Sequence, residues 1–444
     1  MNLLVKPIVD KMSDDLGEKL MTDNYTENLW EMYSTGKKVT PQLIIETTLR
    51  SEKGKPISRP FGSPLKFSKW DKLLFNPVHL TRLPTPTDSD IKTKTIIGPQ
   101  AKHPLELDMP ILISGMSYGG ALSKKCKIAL AKAATKVKTA TNSGEAPLLK
   151  EEREAADKFT LQYNRGGWAT DINNLRQADM IEIQLGQGAQ AGAPMKTAAK
   201  NIGAEMRSIF RLEKGEDSVI NSRLPNINSA EDFINLVEDL HQKLAIPIGL
   251  KIAATHLLES ELKNTEKAGV DFITIDGAEA GTHGGPPILQ DDMGLPTLPA
   301  LVRTVNFLEE KKAKERISIL IGGGLTTPGQ FLKALALGAD GVYIGTIAML
   351  ALVHTQTVKA TPWEPPTSLM FYNGQLKKDL DINQGANNLA NFIKSSIAEM
   401  KLATKALRKE SFAGLDKKDL SCLEDKLAQK IGVDWVYNTY KQEE

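Results

Sequence analysis

The stretch ISILIGGGLTTPGQFLKALALGADGVYIGT, residues 317–346, holds two apolar runs that each end in a glycine turn. The runs are ISILIG and GVYIG, and a helical pattern, PGQFLKALALG, lies between them. Apolar runs without polar alternation are typical of strands that are buried on both faces of a parallel sheet. We therefore predict two strand–turn–helix units, with both glycine turns at the carboxyl ends of their strands.

The same rhythm of apolar runs and amphipathic helices extends outward from this stretch. Eight runs occur along the chain: MPILIS, KTATN, FTLQY, MIEIQL, PIGLKI, DFITID, ISILIG and GVYIG. Eight strand–helix units favour a closed (β/α)8 TIM barrel, which is an α/β fold, over an open sheet. We assign residues 96–358 to the barrel, residues 1–95 to an N-terminal wrapping extension and residues 359–444 to a C-terminal helical tail.

The composition argues against several classes of protein. The 56 basic and 54 acidic residues give a net charge of +2, which offers little attraction to nucleic acid or to an anionic membrane. The sequence has neither a signal-peptide pattern nor an apolar run near the ~20 residues of a membrane span, so we expect a soluble, unprocessed, cytoplasmic protein. The two cysteines are far apart and the histidines lack ligand spacing, so we predict neither a disulfide nor a metal site.

The two glycine turns follow the predicted seventh and eighth strands, where barrels of this type commonly bind a phosphate. Gly323 and Gly324 lie in the first turn, and Gly345 and Thr346 open the helix after the second. The start of a helix offers unpaired N–H groups and a partial positive charge, and glycine lets a phosphate approach the backbone. One glycine-rich turn is more often only a tight turn, but two turns at these places predict a site for a dianion.

Polar side chains at the ends of other strands suit a flavin mononucleotide (FMN). Lys251 in PIGLKI would be costly to bury without an anion beside it. With the phosphate at strands seven and eight, Gln162 would meet the pyrimidine edge and Lys251 would lie opposite N1 and O2, where a cation stabilises the reduced flavin. The alternative is an internal ion pair of Lys251 with Glu182 or Asp276 and no ligand.

Three ionisable residues at the predicted strand ends are candidates for handling charge and protons: Glu145, Lys251 and His283. Glu145 follows the second strand in TATNSGEAP, together with Asn142. His283 lies after the sixth strand in IDGAEAGTHGGPP, a loop whose glycines and prolines allow close approach. An imidazole there can donate a proton or bind an anion. A lone histidine in a loop is more often a surface or hydrogen-bonding residue, and this alternative stays open.

At these motifs the chain resembles the flavin-binding synthase domain of glutamate synthase, and more closely the stand-alone flavoproteins built from that domain. The resemblance covers about residues 99–352 and is carried by ISGMSYGGALS, TATNSGEA, ADMIEIQLGQGAQAG, IDGAEAGTHGGPP and the opening stretch. It implies a (β/α)8 barrel that binds FMN. By motif match it places the following residues around the cofactor: Ser114, Met116, Ser117, Asn142 and Gln162 at the flavin, Lys251 beside the ring, and Gly323, Gly324, Gly345 and Thr346 at the phosphate.

The chain departs from the family pattern in three places. No cysteine cluster for an iron–sulfur centre follows the eighth strand, and we expect no glutaminase domain from this sequence. The loop after the fourth strand has the sequence QGAQAGAPM, where the family has a lysine and a Gly-Glu-Gly-Gly run around its oxo-acid substrate. Binding of 2-oxoglutarate is therefore left open. Electrons would come from an external donor, either ferredoxin or an NAD(P)H-dependent reductase.

The resemblance implies an FMN-dependent oxidoreductase of the glutamate-synthase-like class, which acts on CH–NH2 donors in glutamate biosynthesis. Hydride would pass from reduced flavin to an imine, an oxo acid or a related small polar substrate. Two alternatives stay open. One is an FMN-dependent 2-hydroxy-acid oxidase, which would need a histidine base and an arginine clamp near the sixth strand. The other is a flavin-binding or vestigial subunit of a larger synthase or transferase complex. A homo-oligomer is also left open.

Overall fold

The computed structural model describes residues 2–439, except for the side chains of residues 2–4 and 38. The chain forms two compact units, with the boundary between Ser58 and Arg59. The first unit contains three helices: α1 (Asn2–Met21), α2 (Trp30–Lys38) and α3 (Pro41–Lys53). The predicted boundaries of the extension, barrel and tail stay predictions, and their residues 1 and 440–444 lie outside the described residues.

The second unit is built on one eight-stranded parallel sheet. Its strands are β1 (Ile111–Ile113), β2 (Ala140–Asn142), β3 (Lys158–Tyr163), β4 (Met180–Gln184), β5 (Ile248–Ala253), β6 (Phe272–Asp276), β7 (Ser318–Gly322) and β8 (Gly341–Ile344). The hydrogen-bonded order runs from β1 through β8, β7, β6, β5, β4 and β3 to β2. The predicted (β/α)8 barrel is therefore confirmed, and all eight apolar runs form its strands.

Helices surround the sheet and connect its strands. They are α4 (Lys124–Val137), α5 (Lys150–Ala155), α6 (Ile172–Leu175), α7 (Ala204–Phe210), α8 (Ala230–Lys243), α9 (Leu258–Lys267), α10 (Pro287–Asp291), α11 (Thr297–Glu310), α12 (Pro328–Ala336), α13 (Thr346–Val353), α14 (Ile382–Ala406) and α15 (Asp425–Ile431). Capping boxes at Ser229 and Thr327 explain where α8 and α12 begin, because each side chain accepts a hydrogen bond from the first helical turn. In the described chain, none of the helices is long and apolar enough to span a membrane.

The long helix α14 lies in the region predicted as a C-terminal tail and packs against α4, α12 and α13. Its buried face includes Leu389, Ile393 and Met400. Since α13 ends at Val353, after only eight residues, α14 supplies most of the helical cover between the last and first strand–helix units. The tail helix thus completes the outer ring of the barrel.

Among the described residues, three small sheets complete the second unit. Leu73–Phe75 pairs with Leu420–Cys422, which also pairs with Asp434–Trp435. Thr95–Ile97 pairs with Leu105–Leu107 in a hairpin whose apolar side chains pack with Phe272, Leu320 and other residues of the barrel interior. The hairpin residue Gly98 lies against Pro247 and Asp271, which immediately precede β5 and β6. This hairpin therefore closes the amino-terminal end of the barrel.

A second hairpin, Met195–Thr197 with Ser218–Ile220, lies within the long connection after β4. The same connection contains α7. Loops of this length in a compact domain are commonly functional, and this one lies at the carboxyl end of the sheet.

Candidate active site

A cavity of about 850 Å³ opens at the carboxyl ends of the barrel strands. Its walls come from the loops after most of the strands, from the segment 61–72 and from Phe371. Ten of the predicted site residues line it: Ser114, Met116, Ser117, Glu145, Lys251, His283, Gly323, Gly324, Gly345 and Thr346. The structure thus brings together residues that are up to 232 positions apart in sequence, counted from Ser114 to Thr346.

The other two predicted residues, Asn142 and Gln162, are buried beneath the cavity rather than on its wall. Asn142 Nδ2 and Gln162 Nε2 donate hydrogen bonds to Glu182 Oε1, at 2.9 and 2.7 Å. A Cβ on Gly115, which lines the cavity, would lie 2.7 Å from Gln162 Nε2 and 2.8 Å from Asn142 Oδ1. The two amides therefore support a floor of bare backbone, and Gln162 Oε1 has no hydrogen-bond partner among the described residues.

Lys251 on β5 is 1% exposed and lies at the bottom of the cavity. Its Nζ is 3.2 Å from Asp276 Oδ2 on the neighbouring strand β6. Burial alone lowers the pKa of Lys251, but the attraction of Asp276 and Glu182 outweighs it and raises that pKa above its ordinary value. The internal ion pair considered as an alternative is present, and the lysine lines the cavity as well. The ammonium group therefore stays protonated at neutral pH.

The two glycine turns differ in how they meet the following helix. Gly323 and Gly324 have φ values of +124° and +66°, where a side chain would be strained. Four residues further on, α12 begins at Pro328, which has no N–H group, and its capping box engages the N–H groups of Thr327 and Gln330. The donors available at the first turn are therefore loop amides, not the helix start that the sequence suggested.

The second turn leads directly into a helix. Gly345 is the N-cap of α13, and no side chain caps this helix. Within the described chain, the backbone N–H groups of Gly324 and Gly345 donate to no protein acceptor. These amides line one end of the cavity, and such N–H groups are suited to bind an anion.

Glu145 lines the cavity in front of the fully buried Arg165, which follows β3. Arg165 Nε lies 3.1 Å from Glu145 Oε1 and also donates to Gln184 Oε1 at 3.2 Å. Burial raises the pKa of Glu145 above its ordinary value, and Arg165 opposes that shift. Gln184 Nε2 has no partner among the described residues.

His283 lines the cavity with its ring against Phe371, at 4.3 Å between the ring centroids. Its Nδ1 atom has no hydrogen-bond partner in the described part of the chain. Burial lowers the pKa of His283, so the imidazole is neutral at neutral pH. The described residues include no cluster of three or more His, Cys, Asp or Glu side chains that could hold a metal ion.

Sequence reasoning missed Lys127, a buried lysine on α4. Its Nζ donates to the carbonyl oxygens of Met116, Asn142 and Ser143, at 2.6, 2.8 and 3.2 Å, and lies 2.9 Å from Glu152 Oε1. It therefore ties together the loops after β1 and β2. One signal was present in the sequence: Lys127 begins the segment KIALAKAATK, and the alanine-rich face of this helix is expected to pack inward.

The conserved region of glutamate synthase matches residues 65–410. An archaeal-type glutamate synthase (NADPH) of Thermotoga maritima is 32% identical over 320 residues, which cover 71% of this chain and 61% of that protein. A glutamate synthase large subunit-like protein of Rhizobium meliloti is 29% identical over 386 residues, 82% of this chain and 87% of that one. The chain thus spans about three fifths of the length of the Thermotoga relatives.

Among solved structures, a mutant flavocytochrome b2 with pyruvate bound is similar, with a TM-score of 0.54, 18% identity and 87% of each chain covered. An active mutant of (S)-mandelate dehydrogenase has a TM-score of 0.53 at 14% identity, covering 88% of this chain and 99% of that one. Identities this low show a shared fold. The match to the conserved region extends over the barrel, the glycine turns and α14, so the chain belongs to the glutamate synthase family.

Proposed function

We propose that the protein is an FMN-dependent oxidoreductase of the glutamate-synthase-like class. The observation that carries this proposal is the convergence of two glycine turns and one buried lysine on a single cavity at the carboxyl end of a barrel. A pocket at this end of the fold is the expected place for catalysis. The family membership and the barrel fold shared with flavocytochrome b2 support the same function.

The residues of the cavity fit such a cofactor. The unpaired amides of Gly324 and Gly345, beside the bare backbone of Gly323, suit its phosphate dianion. At the floor, the bare backbone of Gly115 rests on two buried amides and leaves a surface that a flat ring can approach. Ser114, Met116, Ser117 and Thr346 would complete the binding site from the loops after β1 and β8. FMN, when bound, supplies hydride-transfer chemistry to an imine or an oxo acid.

Lys251 and His283 have complementary roles in this proposal. Lys251 keeps its proton because Asp276 and Glu182 raise its pKa, so it offers a constant positive charge to negative charge that develops on the cofactor or substrate. His283 is neutral because burial lowers its pKa. Its Nδ1 is buried and has no hydrogen-bond partner among the described residues, and a buried polar atom without a partner is expected to gain one when a ligand binds.

Glu145 is our third candidate for proton handling. Its carboxyl group lines the cavity, and burial raises its pKa against the opposing effect of Arg165. A carboxyl group with a raised pKa is better suited to exchange a proton near neutral pH than an exposed one.

A 2-hydroxy-acid oxidase has less support than the synthase-like enzyme. That chemistry would use an arginine to clamp the substrate carboxylate beside the histidine base. Among the described residues that line the cavity there is no arginine. Arg165 is fully buried and paired with Glu145.

The electron donor in this proposal is external: ferredoxin or an NAD(P)H-dependent reductase. The Thermotoga maritima relative carries NADPH in its name, and the Rhizobium meliloti relative is described as like a large subunit. Both descriptions are compatible with an active enzyme and with a subunit that depends on a partner. Reduction of the purified chain separates these two hypotheses.

The test begins with the absorption spectrum of the purified chain and the identification of the flavin released on denaturation. We expect stoichiometric FMN. Rapid-mixing reduction by NADPH and by reduced ferredoxin then identifies the donor. A chain that is colourless and takes up no FMN at high concentration contradicts the proposal. Turnover by the isolated chain contradicts the subunit hypothesis.

A further inference from the structure

The cavity has a second wall, opposite the glycine turns, that the proposed function does not use. It consists of Trp168, from the loop after β3, and of Phe210 and the hairpin Met195–Thr197 with Ser218–Ile220, from the connection after β4. Around the barrel, two strands separate the pair β3 and β4 from the pair β7 and β8 in either direction. These strands are β5 and β6 on one side, and β2 and β1 on the other. The wall therefore lies across the barrel mouth from the amides of Gly323 and Gly345.

The hairpin presents one face to the cavity. Its paired residues Met195 and Ile220 line the cavity, and so do Thr197 and Ser218. The intervening pair, Lys196 and Val219, does not line it: the Lys196 side chain is 64% exposed and paired with Asp217, and Val219 is 40% exposed. This is the alternation of faces expected of a two-stranded ribbon. The hairpin is thus placed to contact a ligand through Met195 and Ile220.

The aromatic part of the wall is held by packing. Trp168 meets Phe210 edge to face with 4.8 Å between ring centroids, and Phe210 lies 6.3 Å from the ring of Tyr118. Phe210 is buried, whereas Trp168 is half-buried and has a surface left for a ligand. Two ordered aromatic rings favour binding of an apolar or aromatic group, because such contacts lose little conformational entropy.

The ionisable residues on this side of the cavity also favour an apolar group over a charged one. Among the described lining residues that follow β1, β2, β3 and β4, Glu145 is the only ionisable one, and it is already paired with Arg165. Gln187 Nε2 donates to Gln190 Oε1 at 2.9 Å, and Gln190 Nε2 donates to the carbonyl of Ala193 at 3.0 Å. A carboxylate placed here would meet another carboxylate and no free cation, which is unfavourable in a partly desolvated site.

We propose that this wall selects substrates whose end remote from the reacting carbon is apolar and of aromatic size, and that it disfavours dicarboxylates. The inference rests on the proposed function and names its substrate class: a 2-oxo acid, or the corresponding imine, with an apolar side chain. The hairpin Met195–Thr197 with Ser218–Ile220 is the specificity-determining element.

Two probes with the same head group test this proposal: phenylpyruvate, with an aromatic tail, and 2-oxoglutarate, with a carboxylate tail. The FMN content of the full chain is read from its spectrum first, and binding of each probe is then measured by isothermal titration calorimetry. We expect phenylpyruvate to bind at least about 10-fold more tightly. Equal affinity, tighter binding of 2-oxoglutarate, or binding of neither probe overturns the substrate proposal.

Met195→Lys tests the role of the wall directly, because it adds a cation to the cavity face of the hairpin. We expect 2-oxoglutarate to gain and phenylpyruvate to lose affinity, each by about 5- to 10-fold. Val219→Lys is the matched control, since it adds the same charge to the other face of the same hairpin. It should leave both affinities unchanged. If both variants behave like the unmodified chain, or like each other, the hairpin does not determine specificity.

The two proposals fail in different ways. Absence of FMN from the spectrum, and failure to take it up, contradicts the proposed function before any probe is added. Calorimetry does not require the absorption of a bound flavin, so the relative affinity for the two probes can be measured with or without FMN in the chain. A chain that holds FMN and prefers 2-oxoglutarate keeps the proposed function and loses the substrate class.

Discussion

Among single residues, the strongest effects on stability and binding are expected from ionisable groups that are buried in the cavity or beneath it. Lys251 sits among Asp276, Glu182 and Glu145, and all three raise its pKa. Lys127 and Glu152 form a second buried pair beneath the neighbouring loops, with both side chains 1% exposed. Breaking a buried pair by removing one partner is costly, because the other charge is left without compensation. These pairs therefore give the clearest single-residue predictions.

Lys251→Met should weaken both the fold and the cofactor site. Loss of the ammonium leaves Asp276 buried without its partner, so we expect the free energy of unfolding to fall by about 3 to 5 kcal/mol. FMN occupancy or the flavin reduction potential should fall as well. Urea unfolding and potentiometry measure the two effects.

A lysine in an exposed ion pair provides the control. Lys243→Met removes the partner of Asp239 on the surface of α8 and should cost less than about 1 kcal/mol. An unchanged flavin spectrum and potential in Lys251→Met would remove Lys251 from the cofactor site.

The raised pKa of Glu152 predicts that the free energy of unfolding depends on pH. Burial raises its pKa from 4.5 to about 7, although Lys127 opposes the shift. The folded chain therefore holds a proton that the unfolded chain releases, and the free energy of unfolding falls as the pH rises from 4.5 to about 7. We expect this one group to account for a fall of roughly 1 to 3 kcal/mol.

Glu152→Gln removes this titration. Its unfolding free energy, measured by urea denaturation at several pH values, should fall less steeply across the window than that of the unmodified chain. Parallel pH profiles of the two proteins would show that Glu152 does not titrate there.

Among the elements, the start of α13 is a place where a substitution should weaken FMN binding without lowering the stability of the fold. A Cβ on Gly345 would meet only Ser114 Cβ, at 3.9 Å, and φ at this position is negative. Gly345→Ala should therefore change the free energy of unfolding by less than about 1 kcal/mol. The methyl group would stand at a cavity-lining N-cap, so we expect the affinity for FMN to fall at least about 10-fold, as measured by fluorescence titration.

Gly329→Ala on α12 is the matched control. An added Cβ there meets nothing within 4 Å, and alanine favours a helix over glycine by about 0.5 to 1 kcal/mol. This variant should be slightly more stable and bind FMN normally. Equal FMN affinities of the two variants would place the phosphate away from α13.

In the molecule as a whole, α14 closes the ring of helices. Ile393 is fully buried on the face that packs toward the barrel helices. Ile393→Ala should lower the free energy of unfolding by about 2 to 5 kcal/mol, because it leaves a cavity in this contact. The exposed neighbour Lys394 gives a control, since Lys394→Ala should cost less than about 0.5 kcal/mol. Similar urea midpoints for the two variants would mean that α14 contributes little to the fold.

Local sequence patterns predicted much of the architecture. Buried parallel strands appear as unbroken apolar runs and amphipathic helices have their own period, so runs such as ISILIG and GVYIG predicted the strands β7 and β8 that the structure contains. The glycine turns were also visible, because they follow directly on those strands. The helix in the tail was predicted as well, but its place beside α4 was not, since that depends on where the chain returns.

The amino-acid order alone was enough to predict the barrel strands, their succession and the end of the barrel that carries the polar loops, because those features depend on residues a few positions apart. It did not show that Asn142 and Gln162 lie under the cavity, that Lys127 joins two loops, or that a hairpin forms the far wall. The partners in these contacts are separated by tens to hundreds of residues. They meet only when the register and closure of the folded barrel bring the strands side by side.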